Sequence, residues 1–305
     1  MMRAPVRVTI VEVGPRDGLQ NERSVIATAD KIAFVDRLSD AGHGIIEVSA
    51  FVSPKWVPQM ADATEVFAGI RRRSGVRYTA LVPNQKGLER AIAAGVSEVA
   101  IFAAASESFS RRNINQSIDE SLTTYAAVCA DAASAGLRVR GYLSTCFACP
   151  FEGAVDPAQV AAISRRLMDI GVYEVAISDT IGAAHPGQVP RVLDAVTAAV
   201  PLANLALHFH DTRGTALANV LAGLDYGVTT FDCSAGGLGG CPFAPGAAGN
   251  LATEDLLFVL NGLGVETGIS IDKVAAASRF IGLQLDHRLP SRYLQAPRLG
   301  ATNDA

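Results

Sequence analysis

Apolar residues recur along this chain in two rhythms that take turns. Eight short runs rich in β-branched residues cover residues 6–13 (VRVTIVEV), 45–51 (IIEVSAF), 76–82 (VRYTALV), 98–104 (EVAIFAA), 138–145 (RVRGYLST), 174–180 (EVAISDT), 205–211 (LALHFHD) and 229–235 (TTFDCSA). Between them lie stretches whose apolar residues fall three and four apart, such as residues 31–42, 158–171 and 214–227. The short runs predict strands, and the longer spacing predicts amphipathic helices. Gly42, Gly95, Gly136, Gly171 and Gly227 stand where those helices end, at positions that suit a C-cap with φ > 0.

Strands this continuously apolar, alternating with helices, imply a parallel sheet with its outer face covered. Eight such units in about 250 residues predict an α/β fold of the (β/α)8 TIM-barrel type, not an open doubly wound sheet. An open sheet would carry a phosphate signature in its first strand-to-helix turn, and VGPRDGLQ is not G-x-G-x-x-G. The reading is one barrel domain over residues 1–285, including a helical extension at 271–285, followed by a poorly ordered tail at 286–305.

Composition narrows the setting. With 305 residues, 49% of them hydrophobic, the chain can bury one large core. A net charge of -4 offers no basic stripe for nucleic acid, and the Arg71-Arg72-Arg73 run reads as a solvated helix face. Five cysteines, an odd number, argue for a reducing compartment. The start MMRAPVRVTI has no signal-peptide core or transit-peptide stretch, and no apolar run approaches the roughly 20 residues that span a bilayer. A soluble cytoplasmic protein without membrane or nucleic-acid partners is the expectation.

A barrel changes how polar residues are read, because chemistry gathers at the C-terminal ends of its strands. Those ends supply Arg16, Asp17 and Gln20 after the first strand, Glu47 and Ser49 on the second, Ser178 and Asp179 on the sixth, and His208, His210 and Asp211 on the seventh. A glycine-rich loop, GGLGGCPFAPGAAGN, follows the eighth with Cys241 and Asn250. His208 and His210 are two apart, so they share one face of a strand. Two buried histidines bonded to backbone carbonyls would show the same spacing. A carboxylate from Asp17 changes the weighing, because a closed barrel brings its first strand beside its eighth and near its seventh. Asp17, His208, His210 and the Asn250 carbonyl would make a nitrogen–oxygen ligand set without thiolate, which favours Mg2+ or Mn2+. Asp17 alone also reads as a turn residue or a salt-bridge partner of Arg16.

Other residues invite chemistry less strongly. Cys146 and Cys149 form a lone C-x-x-C without a second pair or a thioredoxin-like strand order, so a redox role is not assigned. Cys129 and Cys233 read as core. Of only four lysines, Lys31, Lys55, Lys86 and Lys273, none lies within a strand, which disfavours Schiff-base catalysis.

EVGPRDGLQNE, IEVSAFVSPKWVPQMAD, SDTIG, HFHDTRG and GGLGGCPFAPGAAGN together resemble the 3-hydroxy-3-methylglutaryl-CoA lyase family, from about residue 8 to residue 282. The family sits among metal-dependent TIM-barrel lyases and Claisen-type synthases. The resemblance implies cleavage of an acyl-CoA to acetyl-CoA and acetoacetate, with a divalent cation on Asp17, His208, His210 and Asn250. It implies that Arg16 polarises the substrate carbonyl, that Glu47 and Asp179 support the site, that His208 takes part in proton transfer and that Cys241 is catalytic. The segment SESFSRRNIN also matches, which adds Asn113, with Arg23 and Gln20, as contacts to the acyl-CoA. The chain lacks the organelle-targeting leader and the C-terminal cysteine of eukaryotic members, so a bacterial-type enzyme serving leucine breakdown is implied. Barrels of this kind often pair through outer helices, which makes a homodimer one option and leaves the oligomeric state open. Bulkier 3-substituted acyl-CoAs, a Claisen-condensing synthase and a non-catalytic acyl-CoA sensor remain open alternatives.

Overall fold

The eight β-branched runs each become a strand, and the strands lie parallel in chain order around a closed barrel. The structure, a computed structural model, describes residues 5–240 and 249–296. Its barrel strands are β1 (Thr9–Glu12), β2 (Ile45–Ala50), β3 (Arg77–Leu81), β4 (Glu98–Ala104), β5 (Arg138–Ser144), β6 (Val175–Asp179), β7 (Leu205–Phe209) and β8 (Thr230–Cys233). β1 closes the barrel on β8, with Thr9 opposite Thr230 and Glu12 opposite Cys233. Asp232 on β8 stands opposite His208 on β7, which in turn stands opposite Ser178 on β6. A small antiparallel hairpin, Ala148–Cys149 with Gly153–Ala154, follows β5.

The helices form for ordinary reasons and pack outside. In Pro157–Asp169, Val160, Ile163, Ser164 and Leu167 make one buried stripe. Asp156 caps it by accepting the Ala158 amide at 2.9 Å, and Pro157 fits the first turn, where no helical N–H is needed. Ile271–Gly282 is helical as expected and packs beside Thr28–Asp40. Residues 286–296, expected within a poorly ordered tail, carry defined contacts: Ser291 Oγ and the Tyr293 amide donate to Asp255 Oδ1, both at 2.8 Å. Among the described residues, no helix is long and apolar enough to cross a membrane.

Two features prepare the upper end of the barrel. Directly after β1 the backbone makes a π-type turn, Gly14–Gly18, in which Arg16, Asp17 and Gly18 all donate their amides to the Val13 carbonyl. Such turns concentrate at functional sites because they push side chains out of the regular spacing. A Cβ on Gly18 would lie 2.8 Å from both Leu238 Cβ and Ser234 Oγ, so only glycine fits there. The loop beyond this turn is then tied to the loop after β2. Buried Gln59 accepts the Ile26 amide at 3.1 Å and donates to the Ser24 carbonyl at 2.8 Å. Buried Lys31 binds the Gln59 carbonyl and the Asp62 carboxylate. The SPKWVPQMAD run thus contributes a clamp between two loops.

Gln59→Ala should therefore cost about 1–3 kcal/mol of stability, since it leaves the buried Ile26 amide and the half-buried Ser24 carbonyl without this partner. Urea unfolding would show the loss, whereas Gln85→Ala, at an exposed position, should leave the midpoint within error.

Candidate active site

Arg16 and Asp17 leave the turn side by side, and the surrounding strand ends decide what they do. Arg16 is 6% exposed, and its guanidinium is held on two sides: Nε donates to Glu47 Oε2 at 2.5 Å and Nη1 to Asp17 Oδ1 at 2.5 Å. The guanidinium lies over the Tyr142 ring, whose centroid is 5.3 Å from Arg16 Cζ. Burial disfavours the charged guanidinium, but Asp17 and then Glu47 outweigh it and keep Arg16 protonated. Burial likewise opposes ionisation of Asp17, yet Arg16 first, then His208 and His210, hold its carboxyl well below the usual range. For Glu47 burial prevails over Arg16, and its carboxyl is raised.

Asp17, His208 and His210 each offer a ligand atom within 4.8 Å of the others, the one such group among the described residues. The two imidazole centroids are 5.3 Å apart. Asn250 donates through Nδ2 to Asp17 Oδ2 at 2.9 Å and to the Leu238 carbonyl at 3.1 Å. Its Oδ1 is buried without a hydrogen-bond partner, as is His210 Nδ1. Orphaned acceptors at a buried site are costly unless something supplies a positive partner. Two imidazoles, a carboxylate and a carbonyl oxygen suit a divalent cation, so the donor set expected from the sequence fits a metal.

These residues open onto a cavity of about 650 Å3. Gln20 and Asn113 line it, together with Arg16, Asp17, His208 and His210. Trp56 also borders it, although the indole is 86% exposed. Three assignments land elsewhere or cannot be placed. Arg23 is exposed and does not line the cavity. Asp179 turns its carboxylate to the amides of Ala183 and Ala184, both at 2.9 Å, and anchors the loop after β6. Cys241 lies outside the described residues.

The approach to Cys241 is nonetheless well built up to Gly240. Gly236, Gly237 and Gly239 adopt positive φ of 72°, 72° and 119°, which explains why glycine crowds this stretch. Glu12, inside the barrel wall, accepts the amides of Gly14 and Ala235, both at 2.8 Å, and the Thr253 hydroxyl at 2.7 Å. Burial pushes its carboxyl up to about 8 despite those donors. Glu254 holds the next amide, that of Gly236.

Sequence reading missed a second charged layer beneath the site. Arg140 on β5 reaches Asp232 through Nη1 at 3.1 Å and Nη2 at 2.8 Å, and Glu174 through Nε at 2.7 Å. Asp232 Oδ2 also lies 3.2 Å from His208 Nδ1. The signal was present as period-two spacing: Arg140, Tyr142 and Ser144 alternate on one strand, and Thr230, Asp232 and Ser234 on another. The C-x-x-C has a structural explanation. Cys146 Sγ donates to the Leu143 carbonyl at 3.0 Å, burial pushes its thiol well up, and Cys149 Sγ accepts from Ser106 at 2.9 Å.

Comparison with known proteins places the chain in a family and matches its fold. The HMGL-like family description matches residues 7–281. A Pseudomonas aeruginosa protein described as 3-hydroxy-3-isohexenylglutaryl-CoA/hydroxy-methylglutaryl-CoA lyase is 54% identical over 97% of this chain and 98% of its own. A crystal structure of hydroxymethylglutaryl-CoA lyase from the same organism superposes with a TM-score of 0.94 at 53% identity, covering 96% of this chain and 97% of that one. An HMG-CoA lyase from Acinetobacter baumannii, solved with coenzyme A and 3-methylmalate, gives 0.92 at 36% identity over 100% and 99% of the two chains. With its barrel matched from end to end in sequence and in shape, the chain belongs to the HMGL-like family.

Proposed function

We propose that this protein cleaves 3-hydroxy-3-methylglutaryl-CoA to acetyl-CoA and acetoacetate. The observation that carries the reading is the cluster of Asp17, His208 and His210, with the unpartnered Asn250 carbonyl, placed beside the Arg16 guanidinium at the wall of one cavity. Family membership and the lyases described above support it.

The reaction is a retro-Claisen cleavage. A proton leaves the C3 hydroxyl, its oxygen becomes the ketone of acetoacetate, and the C2–C3 electron pair becomes the enolate of acetyl-CoA, which is protonated at C2. Held by Asp17, His208, His210 and Asn250, Mg2+ or Mn2+ would supply Lewis acidity that favours loss of the hydroxyl proton and orients the substrate. Arg16 serves the other end. Its Nε and Nη1 are committed to Glu47 and Asp17, which fix the guanidinium plane and leave other N–H groups for the thioester oxygen. A donor fixed before negative charge develops costs no reorganisation when the bond breaks. Glu47 therefore acts through Arg16. Gln20 and Asn113 line the acyl-CoA channel, and Cys241 delivers the proton to C2.

Three outcomes test this reading. Purified protein incubated with 3-hydroxy-3-methylglutaryl-CoA and Mg2+ should release acetyl-CoA, seen by chromatography, and a chelator should stop it. Free CoA released from acetyl-CoA and a 2-oxo acid would instead identify a condensing synthase. Arg16→Lys should lower kcat about 100- to 1000-fold in steady-state assays, because an ammonium cannot hold two carboxylates and still present a fixed donor to the oxyanion. Cys241→Ala should abolish turnover while bound metal, measured by elemental analysis, stays at the wild-type level; full activity there would remove Cys241 from the chemistry.

A further inference from the structure

The layer under the site contains a carboxylate with no place in the reaction just described. Asp232 is 1% exposed, on the strand next to His208 and directly opposite it. Arg140, 3% exposed, binds both Asp232 oxygens and is itself pinned by Glu174. A guanidinium only donates hydrogen bonds, so Asp232 faces it as an acceptor on both oxygens. The oxygen nearer to His208, at 3.2 Å from Nδ1, is thus an acceptor aimed at that ring nitrogen. A neutral imidazole carries its proton on one nitrogen, and the partner decides which.

We propose that Asp232 is a positioning residue: fixed by Arg140, it holds His208 as the Nδ1–H tautomer and so leaves the Nε2 lone pair available to the Asp17–His210 group. His208 then meets a cation without turning its ring. Carboxylates behind metal-binding histidines act in this way generally, and their loss typically weakens metal binding about 10- to 100-fold. The effect on metal binding rests on the site reading above, but the tautomer itself does not.

Asp232→Asn tests this. Because Arg140 donates to both Asp232 oxygens, at 3.1 and 2.8 Å, either orientation of the amide sets its NH2 against a guanidinium N–H, so the doubly held, charged acceptor behind His208 Nδ1 is lost.

The first measurement uses metal-free wild-type protein labelled with 15N-histidine at pH 8, read by long-range 1H–15N correlation, with the His208 signals assigned by their absence in His208→Gln. The expected pattern is a protonated Nδ1 and an unprotonated Nε2; a proton on Nε2, alone or with Nδ1, overturns the proposal. The second titrates metal-free wild type and Asp232→Asn with Mn2+, reading the free ion by electron paramagnetic resonance. Folded Asp232→Asn should show Mn2+ affinity lowered about 10- to 100-fold. Unchanged affinity overturns the proposal, because a purely structural ion pair would alter stability alone. Should Asp232→Asn not fold, the wild-type tautomer decides. Wild type that binds no Mn2+ would remove the metal site, while its tautomer would still test the part played by Asp232.

Discussion

A guanidinium buried between two carboxylates is the interaction on which this barrel's upper end depends. Arg16 could not sit 6% exposed on its own, because an isolated buried charge is far costlier than any single hydrogen bond. Glu47 and Asp17 make the position tenable, and the π-type turn after β1 sets Arg16 and Asp17 side by side on consecutive residues. The arrangement also orients Asp17. One of its oxygens is spent on Arg16 and the other meets the Asn250 amide, so the carboxylate that faces the histidines is already fixed. Removing Arg16 would leave both carboxylates without their cation, a change of the kind that generally costs about 3–5 kcal/mol.

Barrel closure does the rest of the assembly. Asp17 comes from the turn after β1, Glu47 from β2, Tyr142 from β5, His208 from β7 and Asn250 from beyond β8, and a parallel barrel delivers all of them at one end. Beneath them, Arg140, Asp232 and Glu174 replace the apolar packing that usually fills a barrel interior. The site thus rests on a floor of charged groups, each held by a partner from a different strand or loop. Such a floor specifies geometry more sharply than packed aliphatic side chains, since hydrogen bonds between ions tolerate little misdirection.

The strands, the barrel and the HxH pair were legible because each is a local pattern, visible in a window of a few residues. The convergence of Asp17 with the histidines was legible too, given closure, since β1 must neighbour β8. Asp179 and Arg23 show where this reasoning stops. A strand-end position says that a residue can face the site, but not whether its side chain is claimed first by nearby amides, as Asp179 is by Ala183 and Ala184. Asp232 and Arg140 failed in the opposite sense: each sits inside an otherwise apolar strand, and neither makes sense until the other is found across the barrel. A charged residue within such a strand was itself the clue, because it demands a partner that the local sequence does not contain.

That mutual demand has a bearing on how this protein can change over generations. Arg140 and Asp232 lie 92 positions apart in the chain, yet a neutral residue in place of Arg140 leaves Asp232 without its guanidinium, and one in place of Asp232 leaves Arg140 with Glu174 alone. Arg16 and Glu47, 31 positions apart, are linked in the same way, with Asp17 as the second partner of Arg16. Drift at these sites is therefore pressed toward joint replacements, and a lineage that loses one member gains from compensating in the others. Ion pairs along the outer helices, such as Arg166 with Asp119 and Arg165 with Asp169, are exposed, so losing one member strands no buried charge, and the interior should evolve in blocks while the exterior wanders one residue at a time.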